Sequence, residues 1–161
     1  MVIDSFSRWP EVFFTTTANA DFTQTVFRKL FSREGVATAL VTDNGSHFTA
    51  KSLEDWFKSI GCRHLLTAPR HPQSNGLAEN FVRTLKSAVY SLSPPNFQEL
   101  DRGVDNFLLQ YRNAAHSTTS KSPAEVFKSR SLRTSLNAIK SADVTYFKGP
   151  SIGLVIGHLG K

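Results

Sequence analysis

Two carboxylates stand out by their surroundings. Asp43 lies in Val41-Thr42-Asp43-Asn44-Gly45-Ser46-His47-Phe48-Thr49, and Glu79 closes His71-Pro72-Gln73-Ser74-Asn75-Gly76-Leu77-Ala78-Glu79, with 35 residues between the two. Asp43 follows the apolar run Ala39-Leu40-Val41, which reads as a buried strand. Asn44-Gly45 then turns the chain. Glu79 falls in the first turn of a helix predicted to follow a loop holding Pro69, Pro72 and Gly76. A carboxylate at a strand end can meet one near a helix start, and such a pair can hold a hard divalent cation such as Mg²⁺ through oxygen ligands. Each also has a plainer reading: Asp-Asn-Gly is a common turn, and the helix dipole favours a glutamate near a helix start.

The rest of the chain must position these groups. Residues 1–4 read as a strand, Ser5 to Pro10 as a turn, and Glu11 to Thr17, rich in β-branched and aromatic residues, as the second strand of a hairpin. Asn19 or Asp21 can cap a helix over about 21–34, with Phe22, Val26, Phe27, Leu30 and Phe31 as its apolar stripe and Gly35 at its end. Residues 37–42 deliver Asp43. Thr49 can cap a helix that buries Leu53, Trp56, Phe57 and Ile60, and Arg63 to Thr67 form a short strand. Helices follow over about 77–92, 97–113 and 123–129, the last with Ser122 as N-cap and Pro123 at its first position. Residues 144–147 and 152–156 resemble two further strands. This order gives an α/β sheet layered with helices.

Composition bounds the alternatives. A chain of 161 residues suits one domain with a real core. One cysteine excludes an internal disulfide framework, and Cys62-Arg63-His64 offers too few partners for zinc. No run approaches a membrane-helix length, and the first residues lack a signal-peptide pattern, so an intracellular or nuclear protein, not a secreted one, is expected. Residues 1–80 hold 8 basic and 8 acidic side chains, whereas residues 81–161 hold 11 and 5. The excess lies entirely in the second half, as expected if that half meets a polyanion; a solubilising surface is the alternative.

The stretches around Asp43 and Glu79 resemble the catalytic core of retroelement integrases, most of all those of gypsy-type long-terminal-repeat retrotransposons. Three more stretches agree in order: Val2-Ile3-Asp4-Ser5-Phe6-Ser7-Arg8-Trp9-Pro10-Glu11, Tyr111-Arg112-Asn113-Ala114-Ala115-His116-Ser117-Thr118-Thr119, and Ser122-Pro123-Ala124-Glu125. The resemblance implies a ribonuclease H-like three-layer fold over residues 1–135, with 136–161 as a connector and the start of a small β-barrel. It implies that Asp43 and Glu79 are catalytic and ligate Mg²⁺ (or Mn²⁺), that DNA is the substrate, and that the chain works as a homo-oligomer. Gln73, Ser74, Asn75 and Gly76 match a loop that approaches the DNA end in that family. Arg83 and Lys86 follow Glu79 at +4 and +7, on one helix face, where they can pair with phosphates.

The family uses three carboxylates, since two metal ions clamp the attacking and leaving oxygens of a phosphoryl displacement. The resemblance makes Asp43 and Glu79 the second and third. The first belongs on an opening strand, and Asp4 is a poor candidate: reaching the second acid takes roughly 50 residues of strands, helix and connections, while 38 separate Asp4 from Asp43. Asp4 is expected to cap a turn. The sheet is then expected to lack its central strand and to leave open edges. Two readings follow: an integrase core, or a DNA-binding and assembly module derived from one and without catalysis. A cellular nuclease of the same fold is a distant third.

Overall fold

The computed structural model describes residues 1–67, 76–117 and 119–134. The chain opens with a hairpin, β1 (Val2–Ile3) and β2 (Pro10–Glu11), paired antiparallel with Val2 opposite Glu11 and Ile3 opposite Pro10. Its connection is built around Asp4. One carboxylate oxygen of Asp4 accepts from the Ser7 amide at 2.7 Å and the Ser7 hydroxyl at 2.6 Å, and the Asp4 amide donates to the Trp9 carbonyl at 2.9 Å. Arg8, at φ 65°, takes the left-handed conformation the turn needs. The second strand is shorter than the sequence predicts. It stops at Glu11 rather than Thr17, because the following side chains pack on helices: Val12 joins the core around Phe81, and Phe14 meets Phe97 edge-on at 5.3 Å.

Helix α1 (Ala20–Glu34) starts where Asn19 Oδ1 accepts from the Phe22 amide at 2.8 Å and ends at Gly35, whose φ of 86° suits a residue without Cβ. Strand β3 (Ala39–Thr42) leads through α2 (Lys51–Ser59) to β4 (Arg63–Leu66), and the two strands pair in parallel from Ala39–Arg63 to Thr42–Leu66. Helix α2 begins one residue later than the Thr49 cap anticipated. The Phe48 and Thr49 amides both donate to the Gly45 carbonyl, so the turn after Asp43 takes up Thr49, and Ala50 occupies the cap position with no side-chain hydrogen bond. Phe27 and Leu30 of α1, Leu53 and Phe57 of α2, and Cys62 form one core.

A second core joins α3 (Gly76–Leu92) to α4 (Phe97–Asn113) through Phe81, Val104 and Leu108, with Ile3 of β1 packed against it. Helix α5 (Pro123–Lys128) is held by a reciprocal capping box between Ser122 and Glu125. It is pinned to the hairpin by Phe127 stacked on Trp9 at 5.2 Å and to α1 by Lys128 on Glu34. Arg112 of α4 completes this knot: its guanidinium lies 4.4 Å from the Trp9 ring centre, donates to the Pro10 carbonyl at 2.7 Å, and sits 3.4 Å from the Glu11 carboxylate.

Among the described residues, the strands form two separate two-stranded sheets. Between them lies a cleft of about 1570 Å³, lined by β1 on one side and β3 on the other, with α3 along it. The buried strand expected at Ala39-Leu40-Val41 is therefore half open. Val41 is 46% exposed and Leu65 and Leu66 of β4 are 49% and 47% exposed; among the described residues no further strand joins this pair. The two strands expected at 144–147 and 152–156, with the whole 136–161 unit, lie outside the described residues. No described helix is long and apolar enough to cross a membrane.

Candidate active site

Asp43 stands at the end of β3, and its local geometry is over-determined. Its Oδ1 accepts from the Gly45 amide at 2.9 Å, an Asx turn that orients the carboxylate. A Cβ on Gly45 would fall 3.0 Å from Asp43 Oδ1 and 2.7 Å from the His47 ring, so glycine leaves room for both side chains. Asn44 Nδ2 donates to the Thr67 carbonyl at 3.0 Å, tying the turn to the end of β4. The Thr42 hydroxyl donates to the Asp43 carbonyl at 3.0 Å and lies 2.8 Å from His64 Nε2. Burial pushes the His64 pKa below its ordinary value, and the nearby Glu54 charge opposes this.

Glu79 lies in the first turn of α3. It lines the cleft together with Asp43, so the structure brings the two predicted acids to one cavity. Both are exposed. Arg83 and Lys86 line the same cleft, and Arg83 Nη2 donates to Asn80 Oδ1 at 2.7 Å. Gln73, Ser74 and Asn75 lie outside the described residues. Asp4 also borders the cleft, with its Oδ2 held by the Ser7 amide and hydroxyl. Among the described residues no group of three acidic, histidine or cysteine side chains gathers closely enough to hold a metal ion. The donors on offer, two carboxylates open to water, are the hard oxygen ligands that suit Mg²⁺ or Mn²⁺.

Sequence reasoning missed two features. One is the Thr42–His64 link; the other is the knot of Trp9, Arg112, Glu11, Lys128 and Glu34. Alternation along β3 and β4 puts Thr42 and His64 on one face once the parallel register is known. The knot joins residues as far apart in the chain as Trp9 and Lys128 and leaves no local pattern.

Two short strand pairs flanked by helices, with Asp43 at a strand end and Glu79 at a helix start on one cleft, make an α/β domain of ribonuclease H-like fold. Structures of the same fold include a chain of the simian T-cell lymphotropic virus intasome in complex with PP2A regulatory subunit B56 gamma. Its TM-score is 0.70 at 19% identity, over 82% of this chain and 48% of that one. Another is the HTLV-2 integrase catalytic core domain in complex with magnesium in its trimeric form, with a TM-score of 0.63 at 21% identity over 78% of this chain and 80% of that one. Residues 1–72 match the family model described as the integrase core domain. The likeness extends further along the chain. An uncharacterized protein of Caenorhabditis elegans is 32% identical over 147 residues, 89% of this chain and 11% of that protein. The Gag-Pol polyprotein of Walleye dermal sarcoma virus is 30% identical over 135 residues, 83% of this chain and 8% of the polyprotein. The chain thus spans about a tenth of the length of these relatives.

Proposed function

We propose that this chain is the core of a DNA strand-transfer enzyme of the integrase type, in which Asp43 and Glu79 are the catalytic carboxylates. The observation that carries this reading is that both open onto one cleft, with Arg83 and Lys86 on the same helix face as Glu79. Asp43 and Glu79 would hold Mg²⁺ or Mn²⁺, which when bound supplies charge neutralisation for an in-line displacement at phosphorus. In that displacement, a water or DNA 3′-hydroxyl oxygen bonds to phosphorus as the P–O3′ bond opposite breaks; the attacking group loses its proton to solvent and the departing 3′-oxygen gains one. Gly45 orients the Asp43 carboxylate, Arg83 and Lys86 pair with phosphates of the bound strand, and Gln73, Ser74 and Asn75 approach the DNA end. Residues 1–135 form the core and 136–161 a connector into a small barrel. The chain acts on retroelement ends and target DNA as a homo-oligomer, and such a substrate places it in the nucleus.

A third carboxylate completes the site, carried on a strand lying in the cleft between β1 and β3 and hydrogen-bonded to both free edges. Joining an apolar six-residue strand with a terminal aspartate ahead of Met1 through a turn-forming linker tests this. End-joining of a DNA duplex in Mn²⁺ is expected for the fusion, and abolished by Glu79→Gln or by Asn at the added aspartate. The unfused chain is expected to show none. A second reading has its own support in the engagement of Asp4 Oδ2 by Ser7 and in the ion pairs that hold the other two lining acids, Glu11 with Arg112 and Glu34 with Lys128: a DNA-binding and assembly module without catalysis. A fusion that binds duplex DNA normally and joins no ends would favour it.

A further inference from the structure

We propose that His64 and Thr42 are positioning residues for Asp43, holding its backbone through a hydrogen-bonded path that runs across the β3–β4 pair. This rests on the reading of Asp43 as a metal ligand. The path starts at Phe57, fully buried in the first core, against whose ring the His64 imidazole packs at 5.1 Å and 48°. His64 Nε2 lies 2.8 Å from Thr42 Oγ1, and that hydroxyl lies 3.0 Å from the Asp43 carbonyl. A hydroxyl has one proton to give. A carbonyl can only accept, so the Thr42 proton goes to Asp43. Thr42 Oγ1 must then accept from His64, which fixes the tautomer with hydrogen on Nε2. Thr42 is 6% exposed, so water is a poor substitute donor or acceptor there.

Two more bonds close the arrangement from the other side. The Thr67 amide donates to the Thr42 carbonyl at 2.9 Å, and Asn44 Nδ2 donates to the Thr67 carbonyl. Residues 42–44 are therefore clamped to β4 on both sides of Asp43. With the backbone fixed, the Gly45 amide sets the carboxylate. Partners that orient a ligand in this way affect metal affinity though they never touch the ion.

Three variants separate this role from simple packing. His64→Phe keeps a ring against Phe57 and removes the donor. His64→Gln restores an N–H donor. Thr42→Val keeps the shape and removes the relay. Mn²⁺ is titrated into the ¹⁵N-labelled chain and followed by paramagnetic broadening of the Gly45 amide, with thermal melts alongside. His64→Phe and Thr42→Val are expected to weaken Mn²⁺ binding about tenfold, and His64→Gln to stay within about threefold of wild type on the same scale. Equal affinities for Phe and Gln at position 64, with Asp43→Asn losing binding, would overturn the inference and leave the metal reading standing. Asp43→Asn binding Mn²⁺ like wild type would overturn the metal reading itself. A metal-free measurement then decides: hydrogen exchange at the Gly45 amide, which Asp43 Oδ1 holds, should quicken about tenfold in His64→Phe and Thr42→Val and recover in His64→Gln. Unchanged exchange in all three would overturn the positioning role.

Discussion

His64 couples the site to pH in a direction that burial decides. Its proton is held less tightly in the fold than in the unfolded chain, where the ordinary value of 6.5 applies. As pH falls through that value the unfolded state binds more protons, so stability falls with it. The contribution is present in full above about pH 6.5 and is lost as pH falls toward the lower folded value. Urea denaturation should therefore show a drop between about pH 7.5 and about pH 5.5 that is smaller in His64→Gln. An equal drop in both proteins would mean that other groups carry the pH dependence. At this scale the sequence was readable wherever the chemistry is local. Asn19 and Ser122 cap the helices their neighbours announce, and Asp4 binds a residue three positions on. Asp43 and Glu79 could be paired through the resemblance and the strand-and-helix reading together. The Thr42–His64 bond spans 22 positions and depends on strand register, which no short motif encodes.

Among the elements, α4 and the hairpin are joined by Arg112 rather than by apolar contact alone. Its guanidinium is desolvated, which pushes its pKa down against the pull of Glu11. Its side chain is 19% exposed and that of Glu11 17% exposed. Breaking a buried ion pair costs about 3–5 kcal/mol when the remaining charge is left alone. Here Arg33 also approaches Glu11, at 3.7 Å, so that charge keeps a partner. Arg112→Ala should therefore cost about 2–3 kcal/mol, below the full penalty. The loss combines the bond to the Pro10 carbonyl and the stacking on Trp9. Chemical denaturation measures it, and a cost under about 0.5 kcal/mol, the range of an ordinary surface change, would reduce the contact to decoration. Helix positions were legible because α1, α3 and α4 each bury one stripe. Strand lengths were not, since β2 ends where Val12 turns to a helix rather than where β-propensity runs out.

At the scale of the whole molecule, charge and cleft fall together. The net charge is +6, all of the excess sits in residues 81–161, and α3 carries Arg83 and Lys86 along the cleft that holds Asp43 and Glu79. Among the described residues β1 and β3 each pair on one side only; the cleft's exposed apolar strands were not legible, because alternation says nothing about a neighbour outside the strand. The proposed DNA contact needs neither a third acid nor a metal ion. Phosphate contacts release counterions, so affinity should fall steeply with salt and show little sequence preference. Replacing Arg83 and Lys86 together by alanine should weaken duplex binding about equally across sequences and reduce the salt slope by roughly two, one for each contact. Both side chains are exposed and outside the stripe that packs on α4, so the melting temperature should hardly move. Fluorescence anisotropy over a series of salt concentrations reads both quantities. A folded double variant that keeps wild-type affinity and slope would show that this face of α3 meets only solvent, and the positive charge that binds DNA would then have to come from elsewhere in residues 81–161.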